Sequence, residues 1–434
     1  MLNHKIIKSI AVIAILFFIL FPVKFHMIPI SMNRLVGIFG MWCVAKFFTK
    51  YYSFSYFRRG VGLFLGLLFL AVCMSLLSRQ FDGQFYMFLI TPILNLCAGF
   101  LIFVLYKEMK LSLFCDLIII TQTIQAVLSF SMFISPQFAD LVFSVIQLDD
   151  ITASKLDENL IEYRLIGVGN AYFHAAATYG TTLLVLAILP SMGASLIYRN
   201  KVVYWLIVAL MIVAGILSAR TFMFVFITLF IFVWLVHRNL MKIFVKGIKV
   251  AAGLIFVIIV FFKILGNSIS IERYEHMQKW AFELYEVYEE TGELRTSSSD
   301  NVGAMYNIVP DNLSTWIIGD ARFVEPGGYY KDTDIGYLRH IFYWGILGSI
   351  IYWLVIARYY KMTSELYNNS IMSKFFFVLF IWDAILNFKG IISMASFYVG
   401  PFLACGIAIN HIGIEETNDS VCDITDLQCE ESNK

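Results

Sequence analysis

GVGLFLGLLFLAVCMSLL (residues 60–77) and FYMFLITPILNLCAGFLIFVLY (residues 85–106) decide the fold class, because neither run contains a charged residue and only seven residues separate them. A membrane-spanning helix needs about 20 mostly apolar residues. In hydrocarbon every backbone polar group must be paired within the protein, which leaves helices or closed barrels. These runs lack the alternation of barrel strands, so they read as helices. Working outward, comparable windows occur at about 6–23, 29–48, 111–134, 166–189, 202–218, 222–236, 247–266, 334–357, 371–387 and 391–411. The window at 29–48 carries Arg34 near its start, and that at 222–236 is short. Together the windows predict an all-α polytopic membrane protein of about 12 transmembrane helices.

The composition agrees. Of 434 residues, 59% are hydrophobic, 17% aromatic and 15% charged, with a mean hydropathy of +0.76. Soluble domains carry roughly 25% charged residues, so a cytosolic enzyme, a secreted disulfide scaffold and a disordered chain are excluded. A net charge of +1 gives no reason to expect nucleic acid as a partner. Cys43, Cys73, Cys97, Cys115 and Cys405 lie in apolar stretches and Cys422 and Cys429 in an acidic tail, so neither a disulfide framework nor a metal set is visible. Lys5 and Lys8 precede an apolar run with no small-x-small cleavage site, which reads as an uncleaved first membrane helix.

Basic residues in the connections set the expected orientation. With a cytoplasmic N-terminus, the inner segments hold 17 Lys and Arg, whereas the short outer connections hold 6: Lys24, Arg79, Lys155, Arg164, Arg220 and Lys389. That asymmetry predicts both termini in the cytoplasm. The expected units are residues 1–266, membrane helices 1–9 with an acidic outer loop at 136–163; a large periplasmic loop at 267–333; membrane helices 10–12 at 334–411; and an acidic cytoplasmic tail at 412–434. The large loop opens with IERYEHMQKWAFELYEVYEE, where Tyr274, Met277, Ala281, Leu284 and Tyr288 recur at helical spacing, as in a helix lying on a membrane surface.

Chemistry is expected where charges meet hydrophobic helices on the outer side. Arg164 opens the string Arg164-Leu-Ile-Gly167-Val-Gly169-Asn170, and Arg220 lies in the tight turn Ser218-Ala219-Arg220-Thr221. Asp320, Arg322, Asp332, Asp334, Tyr337, Arg339 and His340 gather around the start of helix ten. Guanidinium groups present a rigid fork that suits a phosphate or diphosphate, while a lone arginine at a membrane interface more simply snorkels to water. Asp320, Asp334, His276 and His340 are the acid–base candidates. Asp334, following Thr333, also fits a helix N-cap, and His174, inside helix six, reads as a satisfied core histidine. Tyr274, Trp280, Tyr285, Tyr288, Tyr306, Trp316, Phe323, Tyr329 and Tyr330 either stack on sugars or form an interfacial aromatic belt. Walker, GxGxxG, HExxH and GxSxG motifs are missing, and the first outer connection, Lys24 to Pro29, has no carboxylate to hold a metal.

Arg164-Leu-Ile-Gly167 with Asn170, then Ala219-Arg220-Thr221, then Thr333-Asp334-x-Gly336-Tyr337 followed by Gly345-x-x-Gly348, in this order and on one side, resemble the bacterial O-antigen polymerase (Wzy) family within the O-antigen polymerase and ligase group. The resemblance covers the whole chain in topology and implies a GT-C-like membrane glycosyltransferase of the bacterial inner membrane; no cofactor is expected, and the missing carboxylate argues against a required metal. It further implies transfer of a growing polysaccharide from undecaprenyl diphosphate to a lipid-linked repeat unit at the periplasmic face. Arg164 and Arg220 would hold the diphosphate and Asp334 would act as base, with Arg322, Arg339, His340, Tyr337 and Asp320 binding substrate. A chain-length regulator in the same membrane is a further implied partner. Related ligases carry a histidine in the large loop, for which His276 and His340 are only partial substitutes. The alternatives are a ligase, which shares the donor; a lipid-linked oligosaccharide flippase or transporter, for which Asp116, His174, Lys263 and Asp383 are the intramembrane candidates; and a purely structural membrane scaffold, which leaves the outer arginines unexplained.

Overall fold

The computed structural model describes residues 2–47, 54–106, 109–147, 164–237, 260, 263, 266, 269–293, 295–326 and 328–410. The acidic stretch Asp149 to Glu162, most of the 247–266 window and the 412–434 tail therefore lie outside the described residues. The first half of the chain forms α1 (Leu2–Leu20), α2 (Met32–Phe47), α3 (Phe54–Ser78), α4 (Gly83–Leu105), α5 (Leu111–Ile134) and the short α6 (Pro136–Val145). Then come α7 (Tyr172–Ile188), the single turn α8 (Leu196–Arg199), α9 (Lys201–Ser218) and α10 (Val225–His237). The rest comprises α11 (Ile271–Thr291), α12 (Ser297–Tyr306), α13 (Leu313–Ile317), α14 (Gly336–Glu365), α15 (Ser370–Leu386) and α16 (Ala395–Asn410). Extended structure among the described residues is limited to three two-residue ladders: β1 (Lys24–Phe25) with β2 (Ile146–Gln147), β3 (Ile166–Gly167) with β4 (Asn170–Ala171), and β5 (Val324–Glu325) with β6 (Gly328–Tyr329).

The protein is an all-α membrane protein. Seven helices among the described residues are long and apolar enough to cross a bilayer: α3, α4, α5, α7 with its extension to Ser191, α9, α10 with the 3-10 turn before it, and α14. The shorter α2 is drawn into the bundle by glycine. Gly37 and Gly40 face the backbone of α4 at Leu94 and Cys97, and a Cβ on either would overlap it. Small residues four positions or fewer apart allow such close approach of membrane helices.

The expected span 166–189 begins later than its hydropathy suggests. Residues 166–171 form a hairpin, closed by Gly169 at φ +67°, and the helix starts at Tyr172. The apolar side chains of that hairpin face the bundle, which is why their composition reads as helix.

Glycine also breaks α14. Gly345 adopts φ +66° and ψ −177°, so the carbonyls of Phe342 and Tyr343 turn from the helical ladder and accept from the N–H groups of Asp320 (2.6 Å) and Ala321 (3.2 Å). A side chain at Gly345 would collide with the backbone of Ile317 at the end of α13. Gly345→Ala combines that collision with an unfavourable left-handed φ, and the expected destabilisation is about 3 kcal/mol. A lower midpoint in a thermal size-exclusion assay, with loss of the monodisperse peak, is the expected result.

The longer loops meet at one end of the bundle. β1 pairs with β2, Leu165 N–H donates to Leu217 at the end of α9 (3.0 Å), and Tyr306 donates to Phe388 after α15 (2.8 Å). Asp82 supplies the strongest tie. It caps α4 by accepting from Gln84 (3.1 Å) and Phe85 (3.2 Å), and its other oxygen accepts from Phe323 (2.7 Å) and Val324 (2.9 Å). One buried carboxylate thereby satisfies two orphan donors of a helix and two of the loop it anchors.

Candidate functional site

Arg164, Arg220 and Trp280 meet at this loop end. The Arg164 hairpin is held from beneath: Gln125 on α5 donates to Val168 (3.1 Å), Asn170 donates to Thr178 on α7 (2.9 Å), and Gly167 leaves no room for a side chain against Gln125. Arg220 follows α9 in a 3-10 turn, Arg220–Phe224, which reverses the chain because Phe222 tucks against Gly215, where a Cβ would overlap its ring. Helix α11 brings Trp280 over both. The guanidinium carbon of Arg164 lies 5.3 Å from the centre of the Trp280 ring and that of Arg220 lies 5.1 Å from it, with Arg164 also 5.8 Å from Tyr172. An indole face attracts cations, so one ring engages both guanidinium groups without neutralising either.

The expected apolar stripe of α11 is partly realised. Met277 is buried and Tyr274 half-buried, but Tyr288 is exposed and the inward face continues through Trp280 and Glu283. Glu283 forms an ion pair with Arg220, while its second oxygen accepts from the N–H of Ser297 at the start of α12 (2.6 Å). Burial pushes its carboxyl up, but the hydrogen bonds from Ser297 and the Arg220 contact outweigh this and hold it below the usual carboxylate range. The ion pair is therefore present above the ordinary carboxylate range and is lost as the pH falls through the lowered value.

The residues around the start of α14 form a separate cluster. Arg339 is buried between the rings of Phe323 (3.7 Å) and Tyr329 (3.9 Å) and donates to the Phe323 carbonyl (3.2 Å). The carboxylates of Asp334 and Asp82 supply its negative surroundings. Arg339 thus holds the 323–329 turn rather than standing open to solvent. Asp320 accepts from Thr315 (2.6 Å) and Tyr330 (3.1 Å), and exposed Arg322 lies 5.9 Å from the Tyr330 ring. Burial, followed by the Asp320 charge, pushes the Tyr330 phenol up. Tyr337 donates to Ala384 (2.8 Å), binding α14 to α15.

Three sequence expectations are corrected. Asp334 does not cap α14: Ile335 is the N-cap residue with no side-chain cap, and Asp334 lies 3.9 Å from Lys389, its other oxygen buried and accepting no hydrogen bond among the described residues. His174 is not a core residue, because the helix starts only at Tyr172 and leaves His174 exposed in its first turn. His340, expected on the substrate surface, is fully buried against Tyr352 at 4.2 Å between ring centres, since the α14 segment before Gly345 turns it inward.

His276 is exposed on α11, one turn before Trp280. Asp116 accepts from Ser195 (2.6 Å) and Leu196 (2.7 Å), and Asp383 accepts from Tyr360 (3.0 Å), Met394 (3.1 Å) and Ala395 (3.4 Å), so both carboxylates cap chain reversals. Glu283 and Asp82 were missed as site-building residues. Asp82 had a readable signal, an aspartate directly before a long apolar helix. Compared with known proteins, the chain matches no family model, no curated protein and no solved structure.

Proposed function

We propose that the protein is an O-antigen polymerase, a metal-independent membrane glycosyltransferase that moves a growing polysaccharide from undecaprenyl diphosphate to a lipid-linked repeat unit at the periplasmic face. The observation that carries this reading is the meeting of Arg164 and Arg220 across one indole at the ends of membrane helices. Two fixed cations at the ends of apolar helices suit a lipid-borne diphosphate, whose departure is the chemical demand of the reaction. The diphosphate is already a competent leaving group, so the protein mainly aligns donor and acceptor and neutralises developing charge.

A proton must also leave the attacking sugar hydroxyl. Asp334 is the proposed acceptor, because its side chain is part-exposed and one oxygen accepts no hydrogen bond among the described residues; it stands in the α14 cluster, so the acceptor sugar must span from the arginine pair to it. A transporter reading draws less support: Asp116 and Asp383 serve as caps, His174 is at the loop end and Lys263 is exposed.

Complementation of a polymerase-deficient strain tests the function, with laddered glycans as the expected result and single-repeat glycans as the contrary one. Orientation is tested separately. In a cysteine-free background, Asn301→Cys on α12 should react with a membrane-impermeant maleimide in intact cells, whereas Lys361→Cys near the far end of α14 should react only after permeabilisation. The reverse pattern would put the arginine pair in the cytoplasm and end the periplasmic assignment.

A further inference from the structure

Arg220 already holds an anion from its own chain. A guanidinium grips a phosphate bidentately along one of two edges, Nε with Nη2 or Nη1 with Nη2, so Nη2 belongs to both. In this structure Nη2 donates to the Trp280 carbonyl (2.7 Å) and to the Glu283 carboxylate. Both acceptors come from α11, and neither bidentate edge is open while they stay. Glu283 is itself fastened at its far oxygen by the Ser297 N–H (2.6 Å), which joins the site to the start of α12.

We propose that Glu283 is an internal stand-in for the anionic ligand, occupying the Arg220 fork until a lipid-borne diphosphate displaces it. This rests on the reading of Arg164 and Arg220 as a diphosphate site and adds how that site is kept closed when empty. The contact has a physical rationale: two cations over one ring are costly to leave without a counter-charge near hydrocarbon. It also lowers the apparent affinity of the site by the fraction of molecules in which Glu283 has let go. Displacement frees the Glu283 carboxylate from α9's end and loosens the hold of α11, which carries the aromatic surface over the arginines. Ligand arrival and movement of α11 and α12 are therefore linked.

Glu283→Gln isolates the charge. The amide oxygen still accepts from Ser297, so the start of α12 keeps its partner, but the amide no longer neutralises Arg220. Purified full-length protein in nanodiscs is titrated with inorganic pyrophosphate and, in parallel, with farnesyl diphosphate. The expected result is binding by the wild-type chain, binding about tenfold tighter in Glu283→Gln, and loss of that gain in Glu283→Gln with Arg220→Ala. Farnesyl diphosphate should bind more tightly than pyrophosphate in each protein that binds. Wild-type binding with equal or weaker binding in folded Glu283→Gln would overturn the displacement while leaving the diphosphate site intact. Gain that survives Arg220→Ala would overturn it too, because Glu283 would then act elsewhere. Binding of pyrophosphate without farnesyl diphosphate would overturn the lipid-borne assignment. Absence of binding in every protein would remove the diphosphate site and the displacement with it.

Discussion

Alanine at Arg220 or at Arg164 is expected to abolish chain extension while the protein stays folded in the membrane. Each removes one of the two cations at Trp280. Truncating one partner of a desolvated charged contact costs roughly 2–5 kcal/mol, which corresponds to a rate loss of roughly 30- to 5,000-fold. Chain growth multiplies that loss, because every added repeat requires the same step, so the glycan profile should collapse to single repeats. Arg220→Lys should rescue poorly, since an ammonium keeps the charge but lacks the fork. Expression and thermal unfolding of the variants guard against a trivial loss, because Arg220 also ties α11 through Trp280 and Glu283. Ladders of wild-type length from both alanine variants would make these arginines interface anchors only.

Asp334→Asn is expected to be stably expressed and to polymerise little or nothing. Asparagine preserves shape and can still accept a hydrogen bond, but it cannot take a proton, and loss of a general base typically costs about 10²- to 10⁴-fold. The side chain is not a helix cap and meets Lys389 only at 3.9 Å, so little stability depends on its charge. His276→Ala, on an exposed face of α11, should retain activity. His340→Ala should act through packing, because it empties space beside Tyr352 and Phe88 instead of removing a group in reach of substrate. Normal ladders from Asp334→Asn, together with a dead His276→Ala that folds, would move the base to His276 and favour a ligase-like mechanism.

The membrane class was legible because it is written in runs of residues. An uncharged stretch such as 85–106 has one physical solution, and α4 occupies Gly83–Leu105. Interruptions were harder to read. Ile166, Val168 and Ala171 are as apolar as a helix start, yet they form a hairpin whose faces the bundle covers. Gly345-x-x-Gly348 looks like a helix-packing pair, whereas Gly345 supplies the one backbone conformation that lets α13 and the 319–321 turn dock. The arginines were readable from the cost of charge near hydrocarbon. Their partners were not: Glu283 is 63 residues from Arg220 and Phe323 is 241 from Asp82, separations over which no local pattern exists. The cluster at Arg339 shows the same limit, since burial between Phe323 and Tyr329 depends on a turn fixed by that distant carboxylate.

Everything proposed for this protein turns on whether it joins lipid-linked repeat units. Purified protein in nanodiscs, incubated with a single undecaprenyl-diphosphate-linked repeat unit and no added metal, should yield a ladder of products spaced by one repeat, with undecaprenyl diphosphate released at each step. The Arg164→Ala and Arg220→Ala proteins should leave the substrate unchanged. A folded wild-type protein that leaves the repeat unit intact, or moves it across a membrane without joining it to another, would contradict the account.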